Sequence, residues 1–226
     1  MLSQAELIRE AIAPILPAFT VEVLPQLDST NSELMRRFKG APGRPPQPEP
    51  LLLVAEQQSA GRGRLGRIWQ SRGGDSLTFS LGLMLAPADW SGLSVAVGVS
   101  LADALHPRIQ LKWPNDLWLD DRKLGGILIE TAGTGEGPST ARYAVVGVGI
   151  NVVRRQIQGL STPPAALQEL LPAIDAGQAL GRVVQPLVQT LLVFQNFGFA
   201  PFQARFNARD ALRERRVVLS DGSVGT

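Results

Sequence analysis

Ile109-Gln110-Leu111-Lys112-Trp113-Pro114-Asn115-Asp116-Leu117-Trp118-Leu119-Asp120-Asp121-Arg122-Lys123-Leu124-Gly125-Gly126-Ile127-Leu128-Ile129-Glu130-Thr131 is the stretch on which the architecture turns. Residues 109–113 read as a strand that Pro114 ends, and 116–131 as a hairpin turning at Asp120-Asp121. Outward on the C-terminal side, 133–140 is a flexible turn and Tyr143–Val152 another buried strand. On the N-terminal side, 91–105 reads as a helix dotted with small residues, 77–85 as an alternating strand and 51–55 as a buried one. Farther out lie a helix over 4–13 stopped by Pro14 and Pro17, a short strand near 19–24, and a helix from Asp28-Ser29-Thr30-Asn31 to near Gly40. Five prolines between 42 and 50 make a stiff connection. Two or three helices fill 163–210, and 215–220 begins a new strand. Strands and helices do not alternate strictly, so the expected class is α+β: a mixed, largely antiparallel sheet flanked by helices.

Composition narrows the chemistry. The 226 residues, 44% hydrophobic and 19% charged, suffice for one domain with a packed core. There is no cysteine and one histidine, His106. Disulfides, thiolate metal sites and cysteine nucleophiles are therefore excluded, and a serine triad or a His-built zinc site is disfavoured. No apolar run approaches the ~18–20 residues of a membrane span, and Met1–Glu6 lacks the pattern of a secretory leader, so the expected location is the cytoplasm. The 22 basic residues are nineteen arginines and three lysines, for a net charge of +2. That is too weak for a general polyanion binder.

The densest signal is Gln58-Ser59-Ala60-Gly61-Arg62-Gly63-Arg64-Leu65-Gly66-Arg67-Ile68-Trp69. Gly61, Gly63 and Gly66 match G-x-G-x-x-G, but no helix follows, so a dinucleotide fold is rejected; no G-K-[ST] follows either. What remains is a glycine backbone that an anion can approach, with forked donors at Arg62, Arg64, Arg67 and Arg72. The plain alternative is a solvated basic loop. Lys112 projects near a strand end between Leu111 and Trp113, where partial desolvation strengthens its hold on a phosphate; a solvated edge lysine is the alternative. The Gly125-Gly126 pair marks either close approach of a ligand or chain, or a β-bulge. Thr30-x-x-Glu33 is a capping box, which explains Thr30 as a helix start, while hydroxyls and Asn31 at a helix N-terminus also suit a polar head group. Asn151 ends a strand whose glycines leave space beside it.

In their order and spacing, Asp28-Ser29-Thr30-Asn31, the 61–69 loop, Lys112-Trp113-Pro114-Asn115-Asp116, Lys123–Leu128 and Gly147-x-Gly149-Ile150-Asn151-Val152 resemble the biotin–protein ligases over roughly 22–155. The resemblance implies a class II synthetase-like catalytic domain that joins biotin to ATP as biotinyl-5′-AMP, then passes the biotinyl group to a lysine of a carboxyl carrier domain. By similarity, Ser29, Thr30, Asn31, Gln58, Gly125 and Gly126 bind biotin, and Arg62, Gly63 and Arg64 close over it. Lys112 holds the biotin carboxylate and α-phosphate and, with Arg64, is the catalytic cation. Arg64, Arg67, Trp69, Lys112, Asn115 and Asn151 serve the nucleotide. Mg²⁺ accompanies the triphosphate, with no tightly bound protein metal.

Such chemistry is electrostatic and positional and needs no enzyme nucleophile, which suits this composition. The resemblance also implies no membrane partner and allows a homodimer. With 28 residues before Ser29, no DNA-binding domain and no DNA partner are expected. Val217-Val218-Leu219-Ser220-Asp221-Gly222 reads as a strand and turn close to the C-terminus. The expected division is a catalytic domain over 1–210 and the start of a truncated SH3-like domain over 211–226. A lipoate or octanoate ligase or transferase of the same fold is the nearest alternative. An RNA-binding module is a more distant one, poorly served by 6% aromatic residues.

Overall fold

Alternating and unbroken apolar runs become the strands of one sheet in the computed structural model, which describes residues 1–40, 49–133, 141–154, 164–218 and 224–225. In chain order the elements are α1 (Leu2–Ile12), β1 (Thr20–Leu27), α2 (Thr30–Lys39), β2 (Leu51–Gln58), β3 (Ser76–Leu85), α3 (Leu93–Leu105), β4 (Gln110–Lys112), β5 (Asp116–Leu119), β6 (Arg122–Ala132), β7 (Arg142–Asn151), α4 (Ala176–Phe197), α5 (Gln203–Arg209), β8 (Val217–Val218) and β9 (Val224–Gly225). Most of the proline-rich connection 42–50, the turn 133–140 and the turn after Val218 lie outside the described residues.

The sheet has seven strands in the order β1-β2-β3-β7-β6-β5-β4. Only β1 and β2 run parallel; the other five pairings are antiparallel. The mixed, largely antiparallel class is the one observed. β1 carries Pro25, which donates no ladder bond, and it lies on the sheet edge where that is tolerated. β3 and β7 lie at the centre, paired from Ser76↔Asn151 to Leu85↔Arg142. α4 runs unbroken through Pro186, so 176–197 is one helix. β8 pairs with β9, not with the large sheet.

The two sheet faces differ. Leu77, Phe79, Leu81 and Leu83 of β3, with Val146, Val148 and Ile150 of β7, join one large core with Ile8 and Ile12 of α1, Val97 and Leu101 of α3, and Leu180, Val184 and Leu187 of α4. Among the described residues the opposite face is covered by one helix, α2, through Leu34 against Leu53, Tyr143 and Val145. Phe38 stacks on Tyr143 with ring centroids 4.5 Å apart. A ten-residue helix reaches only part of that face. On this face Gly147 and Gly149 of β7 and Gly126 of β6 leave a depression in the sheet surface, into which Asn31 of α2 and Trp69 pack against the first two.

Candidate active site

A cleft of about 590 Å³ occupies that depression, within the usual range for a small-molecule site. Its walls are the start of α2, the 59–74 loop and the β5–β6 hairpin. Twelve residues read from the sequence line it together: Ser29, Thr30, Asn31, Gln58, Arg62, Gly63, Arg64, Arg67, Trp69, Asn115, Gly126 and Asn151. Lys112 and Gly125 stand outside the lining.

At one end the chemistry is neutral and polar. Ser29, not Thr30, is the N-cap of α2; its Oγ accepts from Ser32 N at 3.4 Å. The capping reading is therefore corrected by one residue. Thr30 is thereby released for tertiary contacts, and its backbone N–H donates to Gln58 Oε1 at 2.8 Å. Ser80 Oγ lies 2.6 Å from both Thr30 Oγ1 and Asn31 Oδ1. Asn31 Nδ2 donates to Leu128 O at 3.1 Å and to Glu130 Oε2 at 2.9 Å. Asn31 is thus a buried brace between helix and sheet, fitting against Gly147, where a Cβ would come within 2.0 Å of its Oδ1. Gln58 Oε1 is fixed by Thr30, and its Nε2 has no partner among the described residues.

The loop supplies positive charge. Arg62 makes a two-pronged ion pair with Glu130, at 3.0 and 3.2 Å. Arg64 Nη1 donates to Asn115 Oδ1 at 3.3 Å, and Asn115 Nδ2 donates to Ile127 O at 2.9 Å. Lys123 is held by Asp116 at 2.7 Å and Arg122 by Glu169 at 2.7 Å. The Arg122 guanidinium holds the Glu169 carboxyl below the usual carboxylate range. Among the described residues, Arg64 and Arg67 are the cleft arginines without a carboxylate partner. Trp69 lies across Gly149, where a Cβ would fall 2.5 Å from its Cε2. Asn151 is buried at the far end and donates to Ala165 O at 3.2 Å, fixing the segment after Pro164.

Lys112 sits on the cleft side of edge strand β4, paired in register with Asp116. Trp113, its sequence neighbour, is 66% exposed and does not cover it. The aromatic contact comes from Trp118, whose ring centroid is 4.1 Å from Lys112 Nζ. Gly125 is buried against Gly149 O, where a Cβ would come within 2.7 Å, so it serves strand packing. Sequence reasoning missed Trp118 and Leu128 as lining residues, and read Gly147 and Gly149 only as leaving space beside their strand. A period-two reading of β5, β6 and β7 places all four on the cleft face.

No group of three or more His, Cys, Asp or Glu side chains suited to a metal occurs among the described residues. The lining carboxylates Asp116 and Asp121 are each engaged by a cation, Lys123 and Arg215. The donor set does not fit a resident metal ion. No described helix is long and apolar enough to cross a membrane.

Known proteins are similar to this chain in sequence and fold. The model of the biotin/lipoate A/B protein ligase family matches residues 23–151. The bifunctional ligase/repressor BirA of Escherichia coli is 36% identical over 212 residues, covering 90% of this chain and 63% of that protein. The biotin--[acetyl-CoA-carboxylase] ligase of Paracoccus denitrificans is 30% identical over 89% of this chain and 85% of its own length. The structure of an Aquifex aeolicus biotin protein ligase in complex with biotin and ATP superposes with a TM-score of 0.68 at 27% identity, over 87% of this chain and 80% of that one. This chain spans less than two thirds of the E. coli relative's length. The match over the strands, loop and helix start that build the cleft makes the chain a member of the biotin/lipoate A/B protein ligase family.

Proposed function

We propose that the chain is an ATP-dependent biotin–protein ligase. A biotin carboxylate oxygen attacks the α-phosphorus of ATP, forming biotinyl-5′-AMP as pyrophosphate leaves. A lysine amine of a carboxyl carrier domain then attacks the anhydride carbonyl, and AMP leaves. The observation that carries the reading is one cleft with a neutral amide-and-hydroxyl end, Ser29, Thr30 and Gln58, and a cationic lip, Arg64 and Arg67. The first end suits a compact uncharged head group; the lip suits a triphosphate. The biotin and ATP of the Aquifex complex and the names of the relatives support it.

In this reading Lys112 neutralises the carboxylate and α-phosphate as they approach, Asn115 and Arg64 orient the phosphates, and Trp69 and Asn151 shape the nucleotide end. Mg²⁺ enters with the triphosphate as part of the substrate, held by phosphate oxygens and water. Residues 1–210 form the catalytic domain and 211–226 open an SH3-like domain; the proposed location is the cytoplasm. Pyrophosphate release with biotin, lipoate and octanoate as parallel acids tests the reading. Biotin-dependent release with biotinyl-AMP found by mass spectrometry supports it. Release with lipoate or octanoate alone transfers the chain to the other branch of the family, and release with none refutes ligase activity.

A further inference from the structure

We infer that Trp118 is a positioning residue whose indole face fixes the ammonium of Lys112 at the cleft edge. The inference rests on the role proposed above for Lys112. Three observations carry it. Lys112 Nζ stands 4.1 Å from the Trp118 ring centroid, and Trp118 lines the cleft while Lys112 does not. Lys112 has no carboxylate partner among the described residues, because the nearby Asp116 is engaged by Lys123 at 2.7 Å. The ladder is also broken at this point: pairing passes from Leu117↔Gly125 to Trp118↔Lys123, leaving Leu124 as an extra residue. A bulge of this kind re-aims the side chain beside it.

The physics is that of a long, flexible cation on a three-residue edge strand. Four rotatable bonds spread a free lysine ammonium over many positions, and an aromatic face restricts it to one without neutralising it. A carboxylate would have consumed the charge that the reaction needs. The ring holds Lys112 in reach of the cleft while leaving its charge available to the incoming anion. Trp118 Nε1 is buried and has no hydrogen-bond partner among the described residues. Trp118→Phe therefore breaks no hydrogen bond and keeps an aromatic face, whereas Trp118→Leu removes that face.

The chain contains three lysines, which makes a direct test practical. Reductive ¹³C-methylation labels each ammonium and keeps its charge. The Lys112 resonance, assigned by its loss in Lys112→Arg, is expected upfield from the ring current of Trp118. It should stay shifted in Trp118→Phe and return to the position of a free lysine in Trp118→Leu. In single turnover with biotin and ATP, Trp118→Leu should slow adenylate formation about ten-fold, the scale of one partly desolvated cation–π contact. Any loss of biotin affinity should be no larger than that of Lys112→Ala, since ring-face loss acts through Lys112 alone. Trp118→Phe should recover most of the rate, and Trp118→Leu should cost nothing further in a Lys112→Ala background. A Lys112 resonance indifferent to Trp118, or additive losses in the double variant, overturns the inference. If Trp118→Leu misfolds, Trp118→Met takes its place. A Trp118-dependent resonance in a protein that makes no biotinyl-AMP overturns the proposed function and leaves the Lys112–Trp118 contact standing.

Discussion

At the scale of single residues, Lys112 and Gly149 have opposite kinds of consequence. Lys112 is half-buried and makes no ion pair among the described residues, so its removal leaves no charge stranded. Lys112→Ala should leave the melting temperature nearly unchanged and slow biotinyl-AMP formation by about 10²–10³, as when one preorganised donor is lost. A variant as active as the parent would remove Lys112 from the chemistry. Gly149→Ala should act through packing: its Cβ would lie 2.5 Å from Trp69 Cε2, on a central strand that cannot retreat. The expected result is a loss of about 1–3 kcal/mol of stability, read from melting curves, and weaker binding of ATP than of biotin by calorimetry. Lys112 is legible in the sequence because Pro114 ends its strand. Its aromatic partner is not, because the contact depends on antiparallel register. Gln110 pairs with Trp118, which makes Lys112 a diagonal neighbour of that ring and not of its own neighbour Trp113.

Among the elements, the 59–74 loop departs furthest from its sequence reading. It shows no strand or helix periodicity, yet it folds as a small hairpin. Trp69 N donates to Gly61 O at 2.9 Å, Gly63 N to Arg67 O at 2.7 Å, and Arg67 N to Arg64 O at 3.2 Å. The tip has Leu65 at φ 56° and Gly66 at φ 73°, a left-handed pair that matches the twist of hairpin arms. A leucine in that position carries no turn signature, and the pins holding the loop are distant in sequence: Glu130 for Arg62 and Gln58 for Ser71. Leu65 is 89% exposed, so trypsin should cut first after Arg64. Biotin with ATP should suppress that cut, because the loop's uncommitted cations then have an anion to hold. Glu130→Gln, which cannot make the charged two-pronged contact, should speed cleavage after Arg62 when no ligand is added. Digestion patterns indifferent to ligand and to Glu130 would show that the loop does not couple to the site.

For the whole molecule, the hairpin at 116–131 and the strand runs give the sheet's class directly. The sequence does not show that one face carries three core-forming helices, α1, α3 and α4, while α2 covers only part of the other. That asymmetry places the cleft, and it depends on glycines at 126, 147 and 149 facing the same way. Both ends of the cleft are then tied by depressed carboxylates. The Arg36 guanidinium, at 2.7 and 2.8 Å, holds the Asp28 carboxyl down to about 2 at the start of α2. Arg122 lowers Glu169 where the β5–β6 hairpin meets the 167–169 turn. A carboxylate whose folded value lies below its unfolded one stabilises fully above the unfolded value, about 4, and loses that stabilisation as pH falls through the folded value. The melting temperature should therefore hold from pH 8 to 5 and fall as the pH drops from about 4 to 2. The two ties should not contribute equally. Arg36 and Asp28 are 54% and 44% exposed, so Asp28→Asn should remove well under ~1 kcal/mol and flatten the acid limb only slightly. Arg122 and Glu169 are 18% and 23% exposed, so water screens them less, and Glu169→Gln should flatten the limb more. Melting curves of the three proteins across this range decide it: acid limbs of identical slope would mean that neither tie carries the acid sensitivity.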